Sequence, residues 1–171
     1  MVGLVLVSHS HEVAEGVFAA VALPGRGCVG NATIIDLGDA TLVFDCFLSP
    51  RPAAELRRLA ETIAPARYVV ESHWHGDHTI GSGAFGDAIV ISTAETRTAV
   101  AEKTVPYLKR LQGYARDRLE EDLAEEWERA STPQRREESA RDAASTLLLY
   151  DVAAEARPRL ADIVFTGVVE S

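Results

Sequence analysis

Histidine stops at position 78. The 171-residue chain has five, at 9, 11, 73, 75 and 78, and none in its second half. Cysteine is scarcer still. Cys28 and Cys46 stand too far apart for a close-spaced metal or redox motif, and two free thiols suit a reducing compartment, so a cytoplasmic protein is expected. No apolar run approaches the ~20 residues of a membrane helix. The opening "MVGLVLVSHS" lacks a basic n-region and a small-residue cleavage site, and reads as a strand instead of a signal peptide. Positive charge is short as well: 17 Lys and Arg against 26 Asp and Glu leave a net charge of −9. Such a surface repels phosphate backbones, which excludes nucleic acid as a default partner, and bound divalent cations would partly offset it.

What is present suffices for one core. The apolar fraction is 47%, and a chain of this length buries roughly 70% of its unfolded surface. The first half reads as strands and turns. Val2 to Val7 is a β-branched run. "GVFAAVAL" follows and ends at "PGRG". "NATIIDLGDATLVFDCF" places two apolar strands around "LGDA", a tight hairpin. "SPRPAAELRRLAETIA" predicts a helix started at Ser49, with Leu56, Leu59, Ala60 and Ile63 on its apolar face. "ARYVVES" and "GDAIVIST" read as further strands. From about residue 97 to 157 the sequence turns to Glu, Arg, Ala and Leu. Leu108, Leu111, Ala115, Leu119, Leu123 and Trp127 recur at helical spacing, "STPQ" interrupts, and Leu147, Leu148, Tyr150 and Val152 resume. This predicts a charged helical hairpin, with solvated faces or a lid or dimer contact as its use. "ADIVFTGVVES" returns to a strand through Ile163, Phe165 and Val168.

The chemistry concentrates in "VVESHWHGDHTIG", residues 69 to 81. A strand ends at Glu71. His73 and His75 are two apart, so in extended backbone their rings point the same way and can grip one metal. Gly76 permits a sharp bend. Asp77 and His78 follow it and can face a second metal beside the first. Imidazole and carboxylate are ordinary zinc ligands, and adjacent ions activate water and polarise a carbonyl or phosphoryl oxygen.

"SHWHGDH" resembles the signature of the metallo-β-lactamase superfamily of hydrolases, and "GNATIIDLGDATLVFDCFLSP" resembles its early hairpin. Residues from about Glu12 to Thr96 fit the pattern. The resemblance implies an α/β fold, the αββα sandwich, of which this chain holds the N-terminal half. It implies that His73 and His75 bind a first zinc and that Asp77 and His78 bind a second. Asp77 would also orient the attacking water, and Asp45 would support the metal loop from behind. Glu71 and Cys46 depart from the usual residues at their positions without breaking the motif.

The other half of the site is missing. The family's second half supplies a third histidine for the first zinc, a bridging aspartate and a final histidine for the second; none is found here, and carboxylates would fill positions only weakly. The expected organisation is 1–96 for the metal-bearing portion, 97–157 for the helical insertion and 158–171 for the start of the missing half. A homodimer is possible but cannot donate the missing histidines, since its partner lacks them too apart from His9 and His11; a separately encoded C-terminal half would complete the site, and a truncated reading frame is expected. The function expected is zinc-dependent hydrolysis of an ester, thioester, amide or phosphoester, with a non-catalytic metal-binding remnant as the alternative. A third reading comes from "MVGLVLVSHSHEVAEGV", which resembles the opening of the mannose-type phosphotransferase component, where His9 at a strand end would accept a phosphoryl group.

Overall fold

The computed structural model describes residues 7–22 and 29–166, with the backbone alone over 7–11. It divides into two compact units, Met1–Val105 with Ala156–Ser171, and Pro106–Glu155.

The first unit is built on a seven-stranded sheet in which chain order is spatial order: β1 (Val7–Ala14), β2 (Val17–Ala22), β3 (Asn31–Asp36), β4 (Thr41–Phe44), β5 (Ala66–Val70), β6 (Ile89–Thr93) and β7 (Ile163–Phe165). The first four run antiparallel, and β4 to β7 run parallel. Connections dictate the switch. The "LGDA" hairpin closes through Leu37 N–H donating to the Ala40 carbonyl at 2.9 Å, a turn that only antiparallel neighbours can use. Beyond β4 a crossover carries helix α1 (Pro50–Glu61), which parallel neighbours require.

Two sequence expectations shift, and two fall on residues that are not described. The strand expected over Val2–Val7 lies outside the described residues except at Val7. β1 continues through His9 and His11, because pairing of Ser10 with Ala20 and of His11 with Ala19 extends the ladder; His9 therefore sits within a strand and not at its end. Ile63, expected on the buried face of α1, lies past the cap at Thr62 and is exposed, because Pro65 follows and helices end before a proline. Val168 lies outside the described residues.

The sheet is apolar on both faces. Ile34, Val43, Val69 and Val90 point to one face and are fully buried with Leu56 and Ala60 of α1 and with Phe85, each large side chain contributing about 1.5–3 kcal/mol. Registers place Ile35 beside Leu42, Leu42 beside Tyr68, Tyr68 beside Ile89, and Ile91 beside Ile163 on the other face. There Phe44, Ile89, Ile163 and Phe165 stay well exposed.

The first unit also carries α2 (Gly76–Thr79) and α3 (Ala94–Ala99), and the second unit is helical: the remainder of α4 (Val105–Gln112), α5 (Arg116–Arg129) and α6 (Pro133–Glu155). The break expected at "STPQ" is real, with Pro133 opening α6 and the Thr132 hydroxyl accepting from Arg135 N–H at 3.2 Å. Gln112 Nε2 donates to the Ala153 carbonyl at 2.6 Å. Trp127, expected in the apolar seam, is 45% exposed instead. It sits in the last turn of α5, where the Arg136 guanidinium lies 5.3 Å from its ring.

Candidate metal centre

β4 and β5 are parallel neighbours, so their C-terminal ends open at the same edge of the sheet. Ligand sites of open α/β sheets form outside such ends. Asp45 leaves β4 there, and residues 71–78 leave β5. The two segments are laced together: Asp45 N–H donates to the Val70 carbonyl at 2.8 Å and Cys46 N–H to the His78 carbonyl at 3.1 Å. Asp45 and Phe47 both hold left-handed φ, 62° and 65°, a costly conformation for a phenylalanine; complete burial of the Phe47 ring offsets it. Gly81 is required here, since a Cβ on it would lie 1.9 Å from the Cys46 carbonyl oxygen.

Past Glu71 the chain bends into a short helix, α2 (Gly76–Thr79). This brings together all four residues that the motif singles out. Nε2 of His73 lies 3.0 Å from Nδ1 of His75, and Nε2 of His78 lies 3.1 Å from Oδ2 of Asp77. The His73 and His78 rings are 4.1 Å apart, so the two pairs are adjacent. Gly30, at φ 89°, lets the turn before β3 approach so closely that a Cβ would meet the Asp77 carbonyl oxygen at 2.5 Å.

Asp45 sits behind both pairs. Its Oδ2 is 2.8 Å from His78 Nδ1 and accepts from the Ser72 hydroxyl at 2.9 Å; its Oδ1 accepts from Ser72 N–H at 2.8 Å. Ser72 Oγ in turn lies 2.9 Å from His73 Nδ1. Sequence reasoning missed Ser72, although it stands immediately before His73. It also missed the brace on the outer side of the loop. The Thr104 hydroxyl donates to the Trp74 carbonyl at 3.4 Å, and the Lys103 ammonium sits 4.6 Å from the Trp74 ring, both from a π-helical turn, Val100–Thr104. Such turns recur at functional sites.

Two further groups under the loop are buried. Glu71 is 2% exposed, and neither carboxylate oxygen has a hydrogen-bond partner. Burial pushes its pKa up to about 8; the Ser82 hydroxyl and Arg159 oppose the shift, and the negative charge of Asp45 adds to it. The Ser82 hydroxyl lies toward this carboxylate but spends its hydrogen on the Thr79 carbonyl. Burial likewise pushes the Cys46 thiol well above its ordinary range, helped by Glu71 and Asp45. Cys46 is therefore a thiol that donates to the His78 carbonyl at 3.0 Å, and not a thiolate ligand.

A family model described as the metallo-beta-lactamase superfamily matches residues 25–160. The chain belongs to this superfamily. Solved structures agree on the fold. The metallo-β-lactamase FIM-1 from Pseudomonas aeruginosa, in its mono-zinc form, superposes with a TM-score of 0.50 at 17% identity, over 56% of this chain and 46% of that one. The DIM-1 metallo-β-lactamase gives 0.50 at 21% identity, over 56% and 46%. The chain thus spans less than half the length of these structures. No curated protein matches it.

The donor set of this superfamily member can be tested against zinc directly. A tetrahedral ion with bonds of ~2.0–2.1 Å holds its donors about 3.3 Å apart. Both pairs stand a few tenths of an ångström inside that span, at ordinary hydrogen-bond distance. Each pair supplies two donors of the kinds that zinc takes. Among the described residues no group of three or more His, Cys, Asp or Glu side chains is placed to hold one ion.

Proposed function

We propose that the chain carries the metal-binding half of a zinc-dependent hydrolase acting on an ester, thioester, amide or phosphoester. The observation that supports this best is the convergence of two donor pairs held from behind by one carboxylate. His73 and His75 would hold one zinc, Asp77 and His78 the other. Zinc bound there supplies Lewis acidity and makes water more acidic. Asp77, exposed enough to reach solvent, would orient the attacking water through its carboxylate. Asp45 holds His78 directly and His73 through Ser72, which keeps their Nε2 atoms aimed at the site. The loop sits at the sheet edge with Trp74 exposed beside it, so a small-molecule substrate would enter from the Trp74 side. A net charge of −9 argues against nucleic acid as that substrate. No described helix is long and apolar enough to cross a membrane.

The remaining donors would come from a second sheet, contributed by residues outside 1–171 or by a separately encoded half. The exposed apolar face running from Phe44 to Phe165 is the surface such a sheet would cover. Two donors per position also support a second reading, a metal-binding module that is not itself a catalyst. Equilibrium dialysis against zinc, with turnover of a thioester, a lactone and a β-lactam in parallel, separates the two. The 171-residue chain is expected to bind zinc weakly, to lose that binding in His75→Ala and to hydrolyse little. Two tightly held ions, with turnover lost in His75→Ala, would establish a complete enzyme instead. Absence of any zinc binding removes both readings.

A further inference from the structure

We infer that Ser72 is a positioning residue that fixes the tautomer of His73, relaying one oxygen of Asp45 so that Nε2 of His73 is left free. This deepens the zinc-site reading and rests on it for its purpose, though not for its test.

A carboxylate accepts hydrogen bonds and does not donate them. Asp45 Oδ2 meets two groups, the Ser72 hydroxyl at 2.9 Å and His78 Nδ1 at 2.8 Å, so each of them must bring the proton. The Ser72 hydroxyl has one hydrogen, and it is spent on Asp45. What Ser72 Oγ offers His73 Nδ1 at 2.9 Å is a lone pair, so His73 carries its proton on Nδ1. The Ser72 backbone is held beside the same carboxylate, its N–H donating to Asp45 Oδ1 at 2.8 Å. Neutral His73 is thereby the Nδ1–H tautomer, and its bare Nε2 faces His75. His78 brings a proton to Asp45 on Nδ1, while its Nε2 faces Oδ2 of Asp77, a second acceptor, at 3.1 Å. The ring nitrogen available to a ligand is set by the hydrogen bond that the other nitrogen makes.

His75 differs. Nothing from Asp45 reaches it, and its Nδ1 faces the bare Nε2 of His73 at 3.0 Å. Without metal, His75 must place its proton on Nδ1 to satisfy that contact. A cation between the two rings needs the same nitrogen bare. His75 is therefore the histidine of the three that must move its proton to Nε2 when an ion arrives.

The test uses the metal-free 171-residue chain at a pH where the rings are neutral, with tautomers read from imidazole 15N shifts and two-bond couplings. His73 is expected as Nδ1–H with Nε2 bare, and His78 with a proton on Nδ1. In Ser72→Ala, His73 should lose that preference while His78 keeps it; Ser72→Thr should restore it; Asp45→Asn should disturb both. An Nε2–H His73 in the wild type, or a His73 unchanged by Ser72→Ala, overturns the proposal. Zinc titration gives a second readout. Ser72→Ala should weaken the His73–His75 position about tenfold and the other position less than twofold, and an equal loss at both positions counts against it. A wild type that binds no zinc sinks the functional reading and leaves the tautomer test standing.

Discussion

Polar side chains are used in opposite ways in the two units. At the strand-end junction of the first, Asp45, Glu71 and Cys46 are buried, and the hydrogen-bonding atoms of Asp45 and Cys46 have fixed partners or, for Glu71, none at all. On α5 and α6 of the second, charges pair along the helix: Arg129 with Glu125 and Arg141 with Glu137, in water and one turn apart. The same residue types are costly and directional in one place and solvated in the other. Buried polar groups with fixed partners rigidify what they touch, and here Asp45 and Cys46 hold the loop that carries His73 to His78.

The comparison breaks most sharply at Asp45. Asp45→Ala removes the acceptor of Ser72 N–H, of the Ser72 hydroxyl and of His78 Nδ1 together. Loss of one partner from a buried, charge-assisted network costs about 4 kcal/mol. Urea unfolding should show a loss of that order, with zinc binding abolished at both positions. A loss below about 1 kcal/mol would mean that the loop holds itself.

Glu71 should act with the opposite sign. Its folded pKa lies near 8, against 4.5 when unfolded. Between those values the unfolded chain binds fewer protons than the folded one, so stability falls as pH rises through that window; below about pH 4.5 this penalty is absent. Glu71→Gln keeps the shape and cannot ionise. It should be more stable than the parent at pH 8 by about 2 kcal/mol, the cost of an unsatisfied buried group, and little different at pH 4.5. Chemical denaturation of the metal-free protein at the two pH values checks both size and sign. A gain at pH 4.5 with none at pH 8 would reverse the assignment.

Much of this junction is legible in the sequence. Short-range pattern announces the hairpin, α1 and the motif itself, because periodicity and the two-residue spacing of His73 and His75 are local facts. The role expected of Asp45 comes from family resemblance. What the sequence hides is long-range. Ser72 looks like any serine until β4 and β5 pair in parallel and bring Asp45 to it. Glu71 reads as an ordinary charged residue ending a strand; its burial depends on Arg159 and Ser82 closing in from distant segments. Trp127 fits a helical repeat, yet the break that follows it leaves the ring outside the seam. Periodicity places a residue on a face and does not say what that face meets.

The smallest effect belongs to the helical unit and completes the contrast. Arg141 and Glu137 lie 2.8 Å apart, each 71% exposed. Water screens both charges, and holding two long side chains in one geometry costs entropy that offsets the attraction. Arg141→Ala should therefore change stability by about 0.3 kcal/mol, and raising the salt concentration should shrink even that difference. Thermal unfolding of the pair of proteins at low and high ionic strength measures it. A loss above about 1 kcal/mol that persists in high salt would show that Arg141 packs against something instead of only pairing in solvent, and the division between a directional junction and a solvated helical surface would no longer hold.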